Sequence, residues 1–179
     1  MKVPDGKPPT GPGWFELAGD RSLADAPDVA GLAIVSNSDI VDLAGLERLP
    51  SLVSLRIKDC PRLRDLSALA RTAVGELLLD PVVGDLASLA GARVRRLTLV
   101  GAVAGLPALP LRMLSVVGVP RVGDLLRFPE LTHLVLHRPK AAELVRLRVL
   151  TGLQEIDVHA PDGPVADALP GFLVRVHSS

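Results

Sequence analysis

Apolar residues at Leu52, Leu55, Ile57, Leu63, Leu66 and Leu69 fall at spacings that recur on both sides of this stretch. The inner pair can be followed along the chain as Leu32 and Ile34, Leu55 and Ile57, Leu77 and Leu79, and Leu97 and Leu99. It continues as Leu114 and Val116, Leu134 and Leu136, Ile156 and Val158, and Val174 and Val176. Successive pairs are 23, 22, 20, 17, 20, 22 and 18 residues apart, a narrow period that marks a repeat architecture. Within each run apolar and polar residues alternate, as in Leu55-Arg56-Ile57-Lys58. Alternation of this kind predicts a short strand with one face turned inward. Stacked repeats then lay the strands side by side as a parallel sheet.

A second signature follows the strands: Asp42-Leu43-x-x-Leu46, Asp65-Leu66-x-x-Leu69, Asp85-Leu86-x-x-Leu89, Asp124-Leu125-x-x-Phe128 and Glu143-Leu144-x-x-Leu147. A carboxylate at the start of a helical turn accepts a backbone N–H and meets the positive end of the turn's dipole. Short helical or 3₁₀ turns are therefore expected on the side opposite the strands. The 17-residue step carries Gly105-Leu106 in place of the acidic signature. An abbreviated turn and a local bend are expected between Ala102 and Leu109.

The stretch from Leu52 to Leu69 resembles the unit of a leucine-rich repeat, L-x-x-L-x-L-x-x-N/C-x-L, with Cys60 at the N/C position. Asn37 holds the same position one repeat earlier, and Val82, Ala102, Val119, Pro139 and Pro161 hold it later. With a period near 22 residues and turns of the form D-L-x-x-L, residues 14–177 look most like the internalin-like subclass. The resemblance implies an α/β solenoid with a parallel β-sheet on its concave face and short helical or 3₁₀ turns on its convex face. It also implies about eight or nine repeats including caps, and a binding scaffold rather than an enzyme.

Residues 1–13 contain four prolines and three glycines and read as an extended lead-in, leaving residues 14–179 as the repeat domain. Trp14, Phe15 and Leu17 fit a truncated first unit that covers the open end of the core, with Asp20 near the ladder position.

Composition sharpens this picture. Hydrophobic residues make up 48% of the 179, yet there are only three Phe, one Trp and no Tyr, so the core is built from aliphatic side chains in thin layers. Twenty basic and twenty acidic residues cancel, leaving no general field to draw nucleic acid or an anionic membrane. Neither is expected as a partner. The single cysteine, Cys60, excludes an intramolecular disulfide and reads as a small ladder residue. The amino terminus lacks an apolar core of signal-peptide length, and no apolar run approaches the roughly 18 residues of a spanning helix. A soluble, cytoplasmic protein is expected, and the arginine excess of sixteen to four over lysine suggests a GC-rich bacterial source.

Catalytic signatures are missing from the sequence: no G-x-x-x-x-G-K-[ST], G-x-G-x-x-G, G-x-S-x-G, H-E-x-x-H or paired C-x-x-C occurs. His133, Cys60 and Asp157 could form a nucleophilic set on paper. Some three strands separate Cys60 from His133, roughly 14 Å or more, which is too far for proton transfer. No enzyme activity and no cofactor are expected.

If the paired positions face the core, the residues between and beside them face the concave surface. Leu78, Val100, Met113, Val117 and Val135 would then form an exposed apolar strip, a layout that marks a protein or peptide site. Arg56, Lys58, Asp80, His137, Asp157 and His159 would flank it and set specificity. The partner expected is another protein. His137, His159 and His177 hold one position on three successive strands and should stack at about 4.8 Å. They are a weak candidate set for a metal ion, and no metal is assigned to them.

Two other readings follow from the same residues. The chain fits a sensor portion or subunit of a larger bacterial signalling or immune assembly with nucleotide-binding sensors, since the repeat class occurs there. Self-association is the third reading, through an edge strand over Val174 to His177.

Overall fold

The computed structural model describes residues 13–81, 85–101, 105–165, 169 and 171–177. The lead-in, apart from Gly13, and the ladder positions Val82 and Ala102 lie outside them. Among the described residues nine short strands form one sheet: β1 (Trp14–Ala18), β2 (Gly31–Val35), β3 (Ser54–Lys58), β4 (Glu76–Asp80), β5 (Arg96–Leu99), β6 (Met113–Val117), β7 (His133–His137), β8 (Glu155–His159) and β9 (Leu173–His177). Every strand pairs in parallel with its sequence neighbour, in the order β1 to β9. This is the arrangement that the period predicts, because each repeat supplies one strand and contacts only the repeats beside it.

The register follows the apolar pairs. Leu32, Leu55, Leu77, Leu97, Leu114, Leu134, Ile156 and Val174 stand opposite one another along the sheet, and Ile34, Ile57, Leu79, Leu99, Val116, Leu136, Val158 and Val176 form the second row. From β2 to β8 these side chains are buried. A slip of one residue would turn both rows outward, so burial fixes the register. Leucines from the turns, among them Leu43, Leu46, Leu66, Leu69, Leu89, Leu144 and Leu147, close the core from the convex side with no exposure.

The convex turns are 3₁₀ at Leu23–Asp25, Leu46–Arg48, Ser67–Arg71, Leu86–Leu89 and Val145–Val149, and single α-helical turns at α1 (Val122–Leu125) and α2 (Ala141–Leu144). Three of the predicted carboxylates do what the signature requires. Asp42 Oδ1 accepts from the Ala44 N–H at 2.9 Å, Asp65 Oδ1 from Ser67 at 2.7 Å and Asp85 Oδ1 from Ala87 at 2.9 Å. Asp124 and Glu143 do not stand before their turns but inside α1 and α2. Both helices begin earlier in the repeat, and α2 instead receives Asp162 Oδ1 from the next repeat on its Ala141 N–H at 2.7 Å. Between β5 and β6 the described residues include no helical turn, and residues 102–104 of the short step lie outside them. Leu106, Leu109 and Leu111 still reach the core there.

Asn37 is fully buried. Its Nδ2 donates to the Arg21 carbonyl at 2.9 Å, and its Oδ1 accepts from the Asp39 and Ile40 N–H groups at 3.0 Å each. One side chain thus satisfies three backbone groups that the turn leaves unpaired. Cys60, in the same place one repeat later, contacts the carbonyls of Lys58 and Ile34 through sulfur at 3.3 and 3.8 Å. No helix among the described residues is long and apolar enough to cross a membrane.

Candidate functional site

The concave face consists of three rows of outward side chains, one at each odd position of the strands. At its amino-terminal end the first row starts with Trp14, opposite Gly31. Trp14 is not part of the end cap. Phe15 and Leu17 align with Leu32 and Ile34 on the core side, so strand alternation turns Trp14 to the other face. Its ring lies against Gly31, and the Arg56 guanidinium sits 4.8 Å from the ring centroid. This cation–π contact draws Arg56 toward the amino-terminal end of the face.

Next to it lies a shallow recess of about 250 Å³ spanning β3 to β6, lined by residues that include Arg56, Glu76, Leu78, Arg96, Thr98 and Met113. Arg96 and Glu76 pair at 2.6 Å across the first row, and both remain largely solvated. Lys58 and Asp80 lie opposite one another in the third row. Leu78, Val100 and Met113 are half-buried and Val117 is 44% exposed. Val135 is not part of an exposed strip: it retains only 6% exposure, as does Ser115 beside it. An outward side chain on a concave sheet is flanked by those of both neighbouring strands. The expected strip is therefore a broken line whose accessible end is Val117.

All four histidines fall on the last three strands. His137, His159 and His177 align in register, with ring centroids 4.8 and 4.3 Å apart and planes tilted by 16° and 9°. Parallel rings send their in-plane lone pairs side by side, so the stack does not converge on a single ion. Burial lowers the pKa of His137 below the usual imidazole value, and His159 adds to the effect. His159 is lowered in the same way, by burial and then by His177, with Asp157 opposing. Both rings favour the neutral form. Ser115 Oγ lies 3.2 Å from His137 Nε2 and fixes one end of the stack.

Beside the stack is a cluster that was legible as separate outward residues but not as a group. His133 Nε2 lies 3.0 Å from Asp157 Oδ2, and His133 Nδ1 lies 3.7 Å from Glu155 Oε2. Arg175 Nη1 approaches Glu155 Oε1 to 2.7 Å, and His177 Nε2 stands 4.0 Å from Asp157 Oδ1. The register puts His133 opposite Glu155 and Val135 opposite Asp157, so the His133 to Asp157 contact is diagonal.

The paper triad of His133, Cys60 and Asp157 does not assemble. Cys60 lies buried just past the end of β3 and His133 on β7, four strand spacings away or about 19 Å. The thiol is also buried, which pushes its pKa up and disfavours the thiolate.

No protein-family model matches the sequence, and no curated protein matches it. Among solved structures, the chain is similar to the crystal structure of an internalin C2 from Listeria monocytogenes, with a TM-score of 0.51 and 24% sequence identity. The match covers 83% of this chain and 71% of that one. One parallel sheet, one strand per repeat and short convex turns agree with this likeness and with the resemblance carried by the repeat unit: the chain has an internalin-like leucine-rich-repeat fold.

Proposed function

We propose that the chain is a non-enzymatic module that binds another protein through its concave face. The observation that carries this reading is the recess between β3 and β6, where solvated charges of both signs surround half-buried Leu78 and Met113 on a regular sheet. Such a surface offers an anchor and a polar rim without needing to fold on binding. A pre-formed sheet loses little conformational entropy when a partner docks, so modest contacts suffice. Arg56 lines the recess and Lys58 and Asp80 stand in the third row of the same strands, while His137, Asp157 and His159 extend the contact surface toward the carboxyl end. The test is capture from the native host's lysate with the wild type and with a Val100→Glu/Val117→Glu variant of verified fold. A protein retained by the first and lost with the second supports the concave site. The same proteins on both would overturn it.

Self-association is a second reading, favoured by the carboxyl-terminal end of the sheet. Val176 lies in the core-facing row, yet it is 50% exposed, and Leu173 on the same strand is 56% exposed. Apolar exposure on a terminal strand favours pairing with a second copy. Sedimentation across a concentration series tests it: a Val176→Lys variant should remain monomeric where the wild type associates, and a strictly monomeric wild type would dismiss the reading.

A further inference from the structure

We propose that His133, Glu155 and Asp157 form a binding site for one divalent transition-metal cation of the zinc class on the concave surface of β7 and β8. The three side chains offer one imidazole nitrogen and two carboxylate oxygens, and these atoms lie within 4.8 Å of one another. Each is mostly buried, with side-chain exposures of 25%, 22% and 14%. Mixed nitrogen and oxygen donors in this number suit Zn²⁺, which takes three protein ligands and leaves a further position for water.

The two carboxylates are only partly served by their neighbours. Glu155 and Asp157 are two residues apart on one strand and so face the same side. Asp157 Oδ1 is buried and has no hydrogen-bond donor, since His177 Nε2 at 4.0 Å is too distant. Glu155 Oε1 is also buried, and Arg175 Nη1 at 2.7 Å reaches it without the alignment of a hydrogen bond. A buried carboxylate oxygen without a donor is costly. His133 presents Nε2 to Asp157 Oδ2 and Nδ1 to Glu155 Oε2, which leaves Asp157 Oδ1 and Glu155 Oε1 to other partners. A dication held between the three side chains serves both carboxylates.

The distances require small movements. Two donors on a tetrahedral Zn²⁺, each about 2.0 to 2.1 Å from the ion, stand about 3.3 Å apart. His133 Nε2 and Asp157 Oδ2 already stand 3.0 Å apart. Glu155 supplies the rest by rotating its own side chain, with Oε2 free of the arginine. Arg175 is 57% exposed and can swing into solvent as the ion takes its place. The site shares no ligand with the stacked rings of His137 and His159.

The experiment is calorimetric titration of the untagged chain with Zn²⁺ at pH 7.5, comparing the wild type with His133→Gln, Asp157→Asn and, as a control, His159→Gln. The wild type and the control should bind one Zn²⁺ per chain, and His133→Gln and Asp157→Asn should each lose at least tenfold in affinity. Absence of stoichiometric binding by the wild type would overturn the proposal and leave a proton-bridged histidine and carboxylate pair. Binding that depends on His159 and not on His133 would overturn it in favour of the stack. Imidazole nitrogen resonances of the wild type give an answer even if a variant fails to fold: Zn²⁺ should shift those of His133 and leave His137 and His159 in place, and the reverse pattern would also overturn the site.

Discussion

His159 stacks on His137 with their ring centroids 4.8 Å apart and their planes 16° from parallel. Register alone brings them together, since the two residues end neighbouring parallel strands at the same height. Partial burial works against a positive charge on both rings, and the neighbouring imidazole adds to it, His159 at His137 and His177 at His159.

The stack should make the fold acid-sensitive. The folded pKa values of both rings lie below the unfolded value near 6.5. Between the two the unfolded chain binds more protons than the folded one, and stability rises with pH wherever that holds. The contribution is intact above pH 6.5 and is lost as pH falls from there through the folded values. The thermal midpoint should therefore drop between pH 7 and pH 5, and a His137→Gln/His159→Gln variant should show a shallower drop. Differential scanning fluorimetry across that range checks it. Equal slopes would remove the stack as the cause.

Asn37 should be the costliest polar side chain to shorten. Asn37→Ala leaves the N–H groups of Asp39 and Ile40 and the carbonyl of Arg21 without their partner in a buried turn. One unsatisfied buried group costs about 1 to 3 kcal/mol, and with some relief from water the variant should lose about 2 to 4 kcal/mol. Cys60→Ala, which removes only weak sulfur contacts, should lose less. Urea melts of both variants measure the difference, and a smaller loss for Asn37→Ala than for Cys60→Ala would contradict the ladder role.

The repeat was legible because its information is redundant. Each strand needs only two inward aliphatic residues at fixed spacing, and a mistake in one unit is corrected by the next. Asn37 and Cys60 could be placed in the ladder for the same reason. What could not be read depends on single contacts rather than on the period. The burial of Val135 depends on the side chains around it and not on its place in the repeat. The meeting of His133 with Asp157 needs a diagonal reach between strands, set by side-chain rotamers and not by spacing. Asp124 and Glu143 kept the turn signature, but their helical turns begin earlier in the repeat. Trp14 turns away from the core although it is apolar, because Phe15 and Leu17 align with the inward pair of the next strand. Pairing Phe15 and Leu17 as the inward residues turns Trp14 to the concave face.

The core should tolerate no truncation in its central layers. Leu66 and Leu69 are fully buried, whereas Leu126 on the convex side is 63% exposed. Leu→Ala at a fully buried site costs about 2 to 5 kcal/mol, the transfer loss plus the cavity left behind. An exposed surface change stays within about 0.5 kcal/mol. Leu69→Ala should thus lower the thermal midpoint by several degrees and Leu126→Ala should leave it nearly unchanged. A large effect at Leu126 would mean that the convex surface packs against something.

The chain's single tryptophan reports directly on the concave face. A Cβ at Gly31 would stand 2.4 Å from atoms of the Trp14 ring, closer than side-chain carbons approach. Gly31→Ala must therefore push the indole away from the sheet, and with it the seat of the Arg56 guanidinium 4.8 Å from the ring. Overpacking of this kind costs about 1 to 3 kcal/mol where the neighbour is held, and less where it can swing outward. Trp14 is only partly buried, so the lower figure applies. The emission maximum should move to longer wavelength as the ring enters water, with a small change in the thermal midpoint. Arg56→Ala should alter the emission intensity while leaving Gly31 and the strand pairing intact. If Gly31→Ala left the emission unchanged, the ring would not lie on β2, and the amino-terminal end of the concave face would be open sheet instead of an aromatic shelf.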